Sequence, residues 1–235
     1  MLDDNTARVA LGLRLNLSPF YHDPEGAPVR CPYAASSARV CQQVDLRSKF
    51  AHGLSCIFEN NNGRSMMHDH VLQCVLEIAT ACTLFARRTP QGYFSVDPSG
   101  RKVDRKQPDG LVDFRDLGGS CLFDVRGVCP TSQSNISVNA KDHHKSMQLA
   151  ADDKTTKYCA IADQRGVGFQ PFVFNTYGGL HSSAQSFVDK MINKYKQYHS
   201  PDKADALKYS HLAQLSVSIM RDNADILVKA HGRAH

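Results

Sequence analysis

The chain has 235 residues, 42% apolar and 22% charged, the make-up of a globular protein long enough to bury a core without disulfide staples. Its 28 basic and 23 acidic side chains leave a net charge of +5, which permits a nucleic-acid partner without demanding one. No window approaches the roughly 20 apolar residues of a membrane span, and the acidic start Met1-Leu2-Asp3-Asp4 lacks a signal-peptide core, which disfavours integral membrane proteins and export.

In chain order, a short apolar patch from Val9 to Leu17 leads into a Pro/Gly turn region, Pro19 to Pro28. Residues 31–66 are polar, rich in Cys, Ser and Arg, and weakly periodic, as expected of a loop-rich segment held by a metal or a neighbour. Val71, Leu72, Val75, Leu76, Ile78, Ala79 and Cys82 recur at helical spacing, predicting a helix from about His68 to Phe85, ended by Thr89-Pro90. Strands are predicted at Gly92–Val96, Gly110–Phe114 and Cys121–Val128, the last two joined by a hairpin loop, Asp116-Leu-Gly-Gly-Ser120. A helix over 135–162, a strand over Phe169–Phe174, the break Gly178-Gly179 and helices over about 182–198 and 203–230 complete an α/β core with a helical tail. The boundary is placed after residue 66, separating an N-terminal Cys/His-rich segment (1–66) from the α/β domain (67–235).

The eight cysteines are an even number, but nothing here indicates export, so reduced thiols in an intracellular compartment are expected. Cys74 and Cys82 lie in an apolar helical run and behave as small hydrophobes. Cys31, Cys41 and Cys56 have the polar, His-rich surroundings that suggest metal. Asp109 opens one predicted strand and Asp124 sits inside the next strand of the same hairpin. Two carboxylates converging there repel unless a cation is present, so they form either a Mg²⁺ (or Mn²⁺) site or a pair of solvated hairpin acids.

A series of motifs bears on that choice. They are Cys41-Gln-Gln-Val44-Asp45, His52-Gly53-Leu54-Ser55-Cys56, Gly63-Arg64 with His68, and Pro108-Asp109-Gly110. Leu122-Phe123-Asp124, Lys154-Thr-Thr-Lys157-Tyr158, Phe169-Gln-Pro171-Phe172-Val-Phe-Asn175-Thr176-Tyr-Gly178 and Leu215-Ser216-Val217…Arg221-Asp-Asn223-Ala224 follow. In order and approximate spacing, over roughly residues 10–228, they resemble the region that follows the reverse transcriptase in certain non-LTR retrotransposons, of restriction-like, PD-(D/E)XK, nuclease fold. The resemblance implies a small mixed sheet flanked by helices and a DNA endonuclease that nicks target DNA to prime reverse transcription. Asp109 and Asp124 map onto its metal-binding acids, and Lys154, Lys157 and Tyr158 onto its Lys-x-x-Lys-Tyr element. It further implies a DNA partner, a reverse-transcriptase module or element RNA, no membrane, and a nuclear setting.

Departures are visible. Arg126 stands where a motif lysine is expected; its pKa is too high for a base, though it can clamp phosphate. Thr89, Cys129 and Asn175 stand where relatives carry acids, with Glu77 or Asp113 as substitutes. Asp113 is even-spaced from Asp109 and shares its strand face. These losses keep open a second function, a catalytically inactive nucleic-acid-binding module, and a third, a product with no selected role.

Cys41, His52 and Cys56 supply three ligands and Zn²⁺ wants four. Arg39 occupies the place of a further cysteine in the relatives. Cys31 or His68 completes the set, or the finger is broken and its thiols are free. Arg101, Lys102, Arg105 and Lys106 put positive charge before Asp109, as a nuclease with acidic ligands needs. Lys190, Lys194 and Lys196, interleaved with Tyr195 and Tyr198, read as a solvated helix face.

Overall fold

In a computed structural model of the chain the described residues are 4–14, 31, 34–36, 39–41, 44–46, 51–56, 62–89, 107–114 and 119–232. The chain runs through α1 (Asp4–Arg14), β1 (Ala34–Ser36), β2 (Arg39–Val40), α2 (Ala51–Ser55) and α3 (Asn62–Ala81). Next come β3 (Phe85–Arg88), β4 (Gly110–Asp113), β5 (Ser120–Val128), α4 (Ile136–Asn139) and α5 (Lys145–Gln164). Strand β6 (Gly168–Asn175) and helices α6 (Ser182–Lys196) and α7 (Pro201–Gly232) close the order. The expected strand at 92–96, the turn region 19–28 and loop residues 115–118 lie outside the described residues. Among the described residues, no helix is long and apolar enough to cross a membrane.

The main sheet has the order β3-β4-β5-β6; the first two pairings are antiparallel and β5–β6 is parallel, with α5 in the crossover. Successive residues of a strand face opposite sides. Val112, Phe114, Cys121, Phe123, Val125, Phe172 and Phe174 enter one core with α3, α6 and α7. Leu111, Leu122 and Val173 face the other side, against Ala162 and Met147 of α5. The result is a mixed α/β fold, helices on both faces of a four-stranded sheet.

Helix α3 starts before the expected His68 and stops before Phe85, correcting both ends. Leu84 N–H bonds to Ala79 O at 2.9 Å and Thr83 N–H to Thr80 O at 2.9 Å, with Thr83 at φ 60°. This is a Schellman closure, in which the left-handed position usually carries glycine. With threonine there, the stop signal is hidden. Strand β3 follows, exposed at Phe85, Arg87 and Arg88. Such an edge strand lacks the apolar alternation that marks buried ones. The helix expected over 135–162 is two, α4 and α5, broken where Asn139 Oδ1 accepts from Ser146 N–H at 2.9 Å.

Gly110 shows why the Pro-Asp-Gly element ends in glycine. A Cβ at that position would lie 2.4 Å from Cε1 and Cζ of Phe123, which is wholly buried in the opposing strand, and 3.3 Å from Arg87 O. We expect Gly110→Ala to lower unfolding free energy by about 1–3 kcal/mol, as overpacking does, read by urea denaturation. An unchanged midpoint would mean that Phe123 moves aside freely.

The late motifs are coupled across space. Asn223, fully buried on α7, donates its Nδ2 hydrogen bond to the Thr176 carbonyl at the end of β6. Gly178, at φ 86°, leaves room for Ser216, whose Oγ would be 2.7 Å from a Cβ there. Asn175 Oδ1 accepts from Tyr177 N–H and Gly179 N–H, both at 2.9 Å, fixing the turn between them.

A second core lies at the other end of α7. Val9, Ala10 and Leu13 of α1, Leu46, Leu54 and the three cysteines of the N-terminal segment pack with Met220, Ala224, Ile226 and Leu227. Helix α3 runs through residue 66, the expected boundary.

Candidate active site and metal centre

The register Gly110↔Phe123 places Asp109 and Asp124 next along the same antiparallel pair, and Asp109 N–H bonds to Phe123 O at 3.0 Å. Both residues share the parity of Leu111 and Leu122, so both side chains stand on the α5 face. Asp109 Oδ2 accepts from Val125 N–H at 2.7 Å and contacts His68 Nε2 at 3.0 Å. The Asp109 carboxylate holds the His68 pKa above the ordinary histidine value.

Asp124 is 3% exposed. Burial first, and the negative charge of Asp109 second, push its carboxyl above the usual range. Lys154 Nζ lies 2.6 Å from Asp124 Oδ2, and a Tyr158 hydrogen bond also favours the ionised form. These two partners do not cancel the rise. Two carboxylates meeting on one sheet face offer oxygen donors of the kind a divalent cation takes.

Lys154, Lys157 and Tyr158 lie on α5, within the stretch expected to be helical. At i and i+4, Lys154 and Tyr158 share a helix face and both reach Asp124. Tyr158 is buried against the Phe169 ring, centroids 5.3 Å apart. Lys157 stands over the Tyr158 ring, 4.8 Å from its centroid. Arg126 is exposed, two residues beyond Asp124 on the same strand face.

The expected substitutes for lost acids do not join the site. Asp113 shares the face of Asp109 but pairs with Ser120 at the far end of β4, roughly 13 Å away at the strand rise. Glu77 is exposed on α3 and accepts from Gln73 at 3.1 Å. Thr89 lies beside Asp109, its N–H bonded to the Asp109 carbonyl at 3.0 Å. Asn175 is committed to the turn after β6. Cys129 is buried in the second core. Arg101, Lys102, Arg105 and Lys106 lie outside the described residues. Of the lysines expected on a solvated helix face, Lys196 pairs with Asp205 at 2.9 Å, Lys190 lies 4.3 Å from the Phe114 ring centroid, and Lys194 is buried, its ammonium 5.5 Å from the Tyr198 ring centroid, which corrects the reading at that residue.

Sequence reasoning missed His68 as a partner of Asp109. It lies within α3, six residues after the helix start, and only the packing of α3 on the sheet end reveals its neighbour 41 residues away.

Cys31, Cys41, His52 and Cys56 bring their ligand atoms within 4.8 Å of one another. His52 and Cys56, at i and i+4 across α2, point the same way. Cys31 is anchored by its N–H to Val44 O at 3.0 Å. Cys31 Sγ and Cys56 Sγ are 3.7 Å apart, and Cys41 Sγ is 3.2 Å from His52 Nε2. A disulfide needs ~2.05 Å; two ~2.3 Å zinc–sulfur bonds at the tetrahedral angle need sulfurs about 3.8 Å apart. The Cys₃His group could thus bind a structural metal such as zinc. The open choice between Cys31 and His68 falls to Cys31, because His68 is turned to Asp109.

No family model matches the chain. Over 140 residues it is 24% identical to the Retrotransposable element SLACS 132 kDa protein of Trypanosoma brucei gambiense. The match takes in 57% of this chain and 11% of that protein. This similarity, faint as it is, suggests a retrotransposon origin.

Proposed function

We propose that the chain is a metal-dependent DNA endonuclease of restriction-like fold, derived from a retrotransposon. The observation that carries the reading is the meeting of Asp109 and Asp124 on adjacent strands with Lys154 2.6 Å from Asp124. Asp109 and Asp124 would hold Mg²⁺ or Mn²⁺. The chemistry such a cation supplies when bound is neutralisation of charge on the scissile phosphate and activation of water. His68 and Val125 N–H orient the Asp109 carboxylate. Tyr158 orients that of Asp124. The Lys154 ammonium stabilises charge developing on phosphate oxygens. DNA is the substrate, a reverse-transcriptase module or element RNA the partner, and the nucleus the setting.

Conversion of supercoiled plasmid to open circle tests the reading. Activity should need millimolar Mg²⁺, because two acids and no third bind it weakly, and Mn²⁺ should support it better. Lys154→Met should slow nicking by about 10²-fold or more. It should also shift the acidic limb of the pH profile upward, since the lysine lowers the Asp124 pKa and its loss leaves the carboxylate protonated to higher pH. Nicking that needs no divalent metal, or ignores Lys154, removes the nuclease reading in favour of a nucleic-acid-binding module.

A further inference from the structure

Beside the acidic site runs a cleft of about 1300 Å³ that neither the acids nor the Cys₃His group accounts for. One wall is the metal module, through His52, Ser55 and Cys56; the other is the end of β5, the turn into α4, and α5. We propose that this cleft holds an unpaired nucleic-acid strand leading to or from Asp109 and Asp124, an inference that rests on the nuclease reading above.

Continuity is the first support. Arg126, on the cleft wall, is two residues from Asp124 on one strand face, about 7 Å along it. Ala150 and Asp153 of α5 line the cleft and Lys154 follows, one turn from Ala150. A chain bound at the acids thus passes directly into it.

The lining chemistry is the second support. Arg64 and Arg126 set two guanidinium groups against one carboxylate, Asp153, matching a phosphate backbone. Ile136 and Leu149 line the cleft while 56% and 50% exposed, apolar surface suited to the faces of unstacked bases. Gln133 and Asn135 offer amides to base edges.

The size decides between strand and duplex. Pockets for one drug-sized molecule hold roughly 300–1,000 Å³, so this cleft admits a few nucleotides and not a turn of double helix.

Fluorescence anisotropy without added divalent metal tests this, using a labelled DNA strand of about ten nucleotides and the same strand annealed to its complement. The single strand should bind at least tenfold tighter than the duplex. Arg64→Ala and Arg126→Ala should each weaken strand binding about 3- to 10-fold and reduce the salt slope by roughly 0.7. Leu149→Asp should weaken it too, and Lys203→Ala, outside the cleft, should leave it unchanged. Circular dichroism checks the fold of each. Arginine variants that bind like wild type, or that lose no more than Lys203→Ala, overturn the proposal. Nicking with cleft variants of unaltered strand affinity removes the cleft and leaves the nuclease. Strand binding that follows the arginines in a protein that never nicks removes the nuclease and leaves the cleft.

Discussion

Removing the metal from the Cys₃His group, by chelation or by Cys56→Ser, is expected to lower the unfolding midpoint by roughly 10–20 °C. Structural zinc sites contribute folding energy outright, with apparent binding free energies of about 10–16 kcal/mol in finger peptides. Even a loss of about 5 kcal/mol moves the midpoint of a chain this size by that amount. The effect should extend past the four ligands. Cys31, Cys41 and Cys56 share a core with Leu46, Leu54 and the α7 residues Met220, Ala224, Ile226 and Leu227. Gly53 lies so close to α7 that a Cβ there would sit 2.8 Å from Leu227 Cδ2. Release of α2 therefore uncovers the end of α7, and amide exchange should rise in 220–227 as well as in 51–56. Purified protein should carry one zinc per chain and lose it on acidification, as thiolates protonate. Zinc-free protein at neutral pH, with a midpoint indifferent to chelator, returns the segment to the broken-finger reading.

Legibility in the sequence divides along the range of the interactions. The Cys41, His52 and Cys56 spacing, and the Asp109 and Asp124 pair, are local: a short helix and a hairpin determine which side chains converge. So are β4, β5 and β6, whose apolar runs are buried on both faces. Helices α6 and α7 show their period plainly. Strand β3 does not, because it is an edge strand of exposed arginines. The end of α3 does not, because Thr83 takes the left-handed place of glycine.

Long-range choices were not legible at all. That Cys31 rather than His68 completes the ligand set depends on the backbone bond from Cys31 to Val44 and on the turn of His68 toward Asp109. That α1, Leu46, Leu54 and the cysteines dock on α7 depends on Leu227 and its neighbours, more than 160 residues away in sequence. The departures from the resembled family gain a physical account only in three dimensions. Asn175 is a turn-former whose Oδ1 takes two backbone N–H groups. Asp113 has the right face and the wrong end of the strand.

Asp124→Asn should abolish nicking, by about 10³-fold or more, while DNA binding is kept or strengthened. Losing one of two anionic ligands removes several kcal/mol of stabilisation from a metal-assisted step, and each 1.36 kcal/mol is tenfold in rate. The substitution also removes a negative charge from the surface a phosphate must approach, which reduces repulsion. Stability supplies the control. Burial and Asp109 raise the Asp124 pKa above 3.8. For an acid, a folded-state pKa above the unfolded one means that stability falls as pH rises from the unfolded value through the folded one. At neutral pH without divalent metal, the amide is then no worse than the carboxylate, even though Lys154 loses its partner. The variant should unfold at or above the wild-type midpoint, so lost activity cannot come from lost fold. Adding Mg²⁺ should raise the midpoint of wild type and not of the variant, since only wild type binds it. Equal cleavage by wild type and Asp124→Asn would assign the nicking to a contaminant and leave a protein that binds nucleic acid without cutting it.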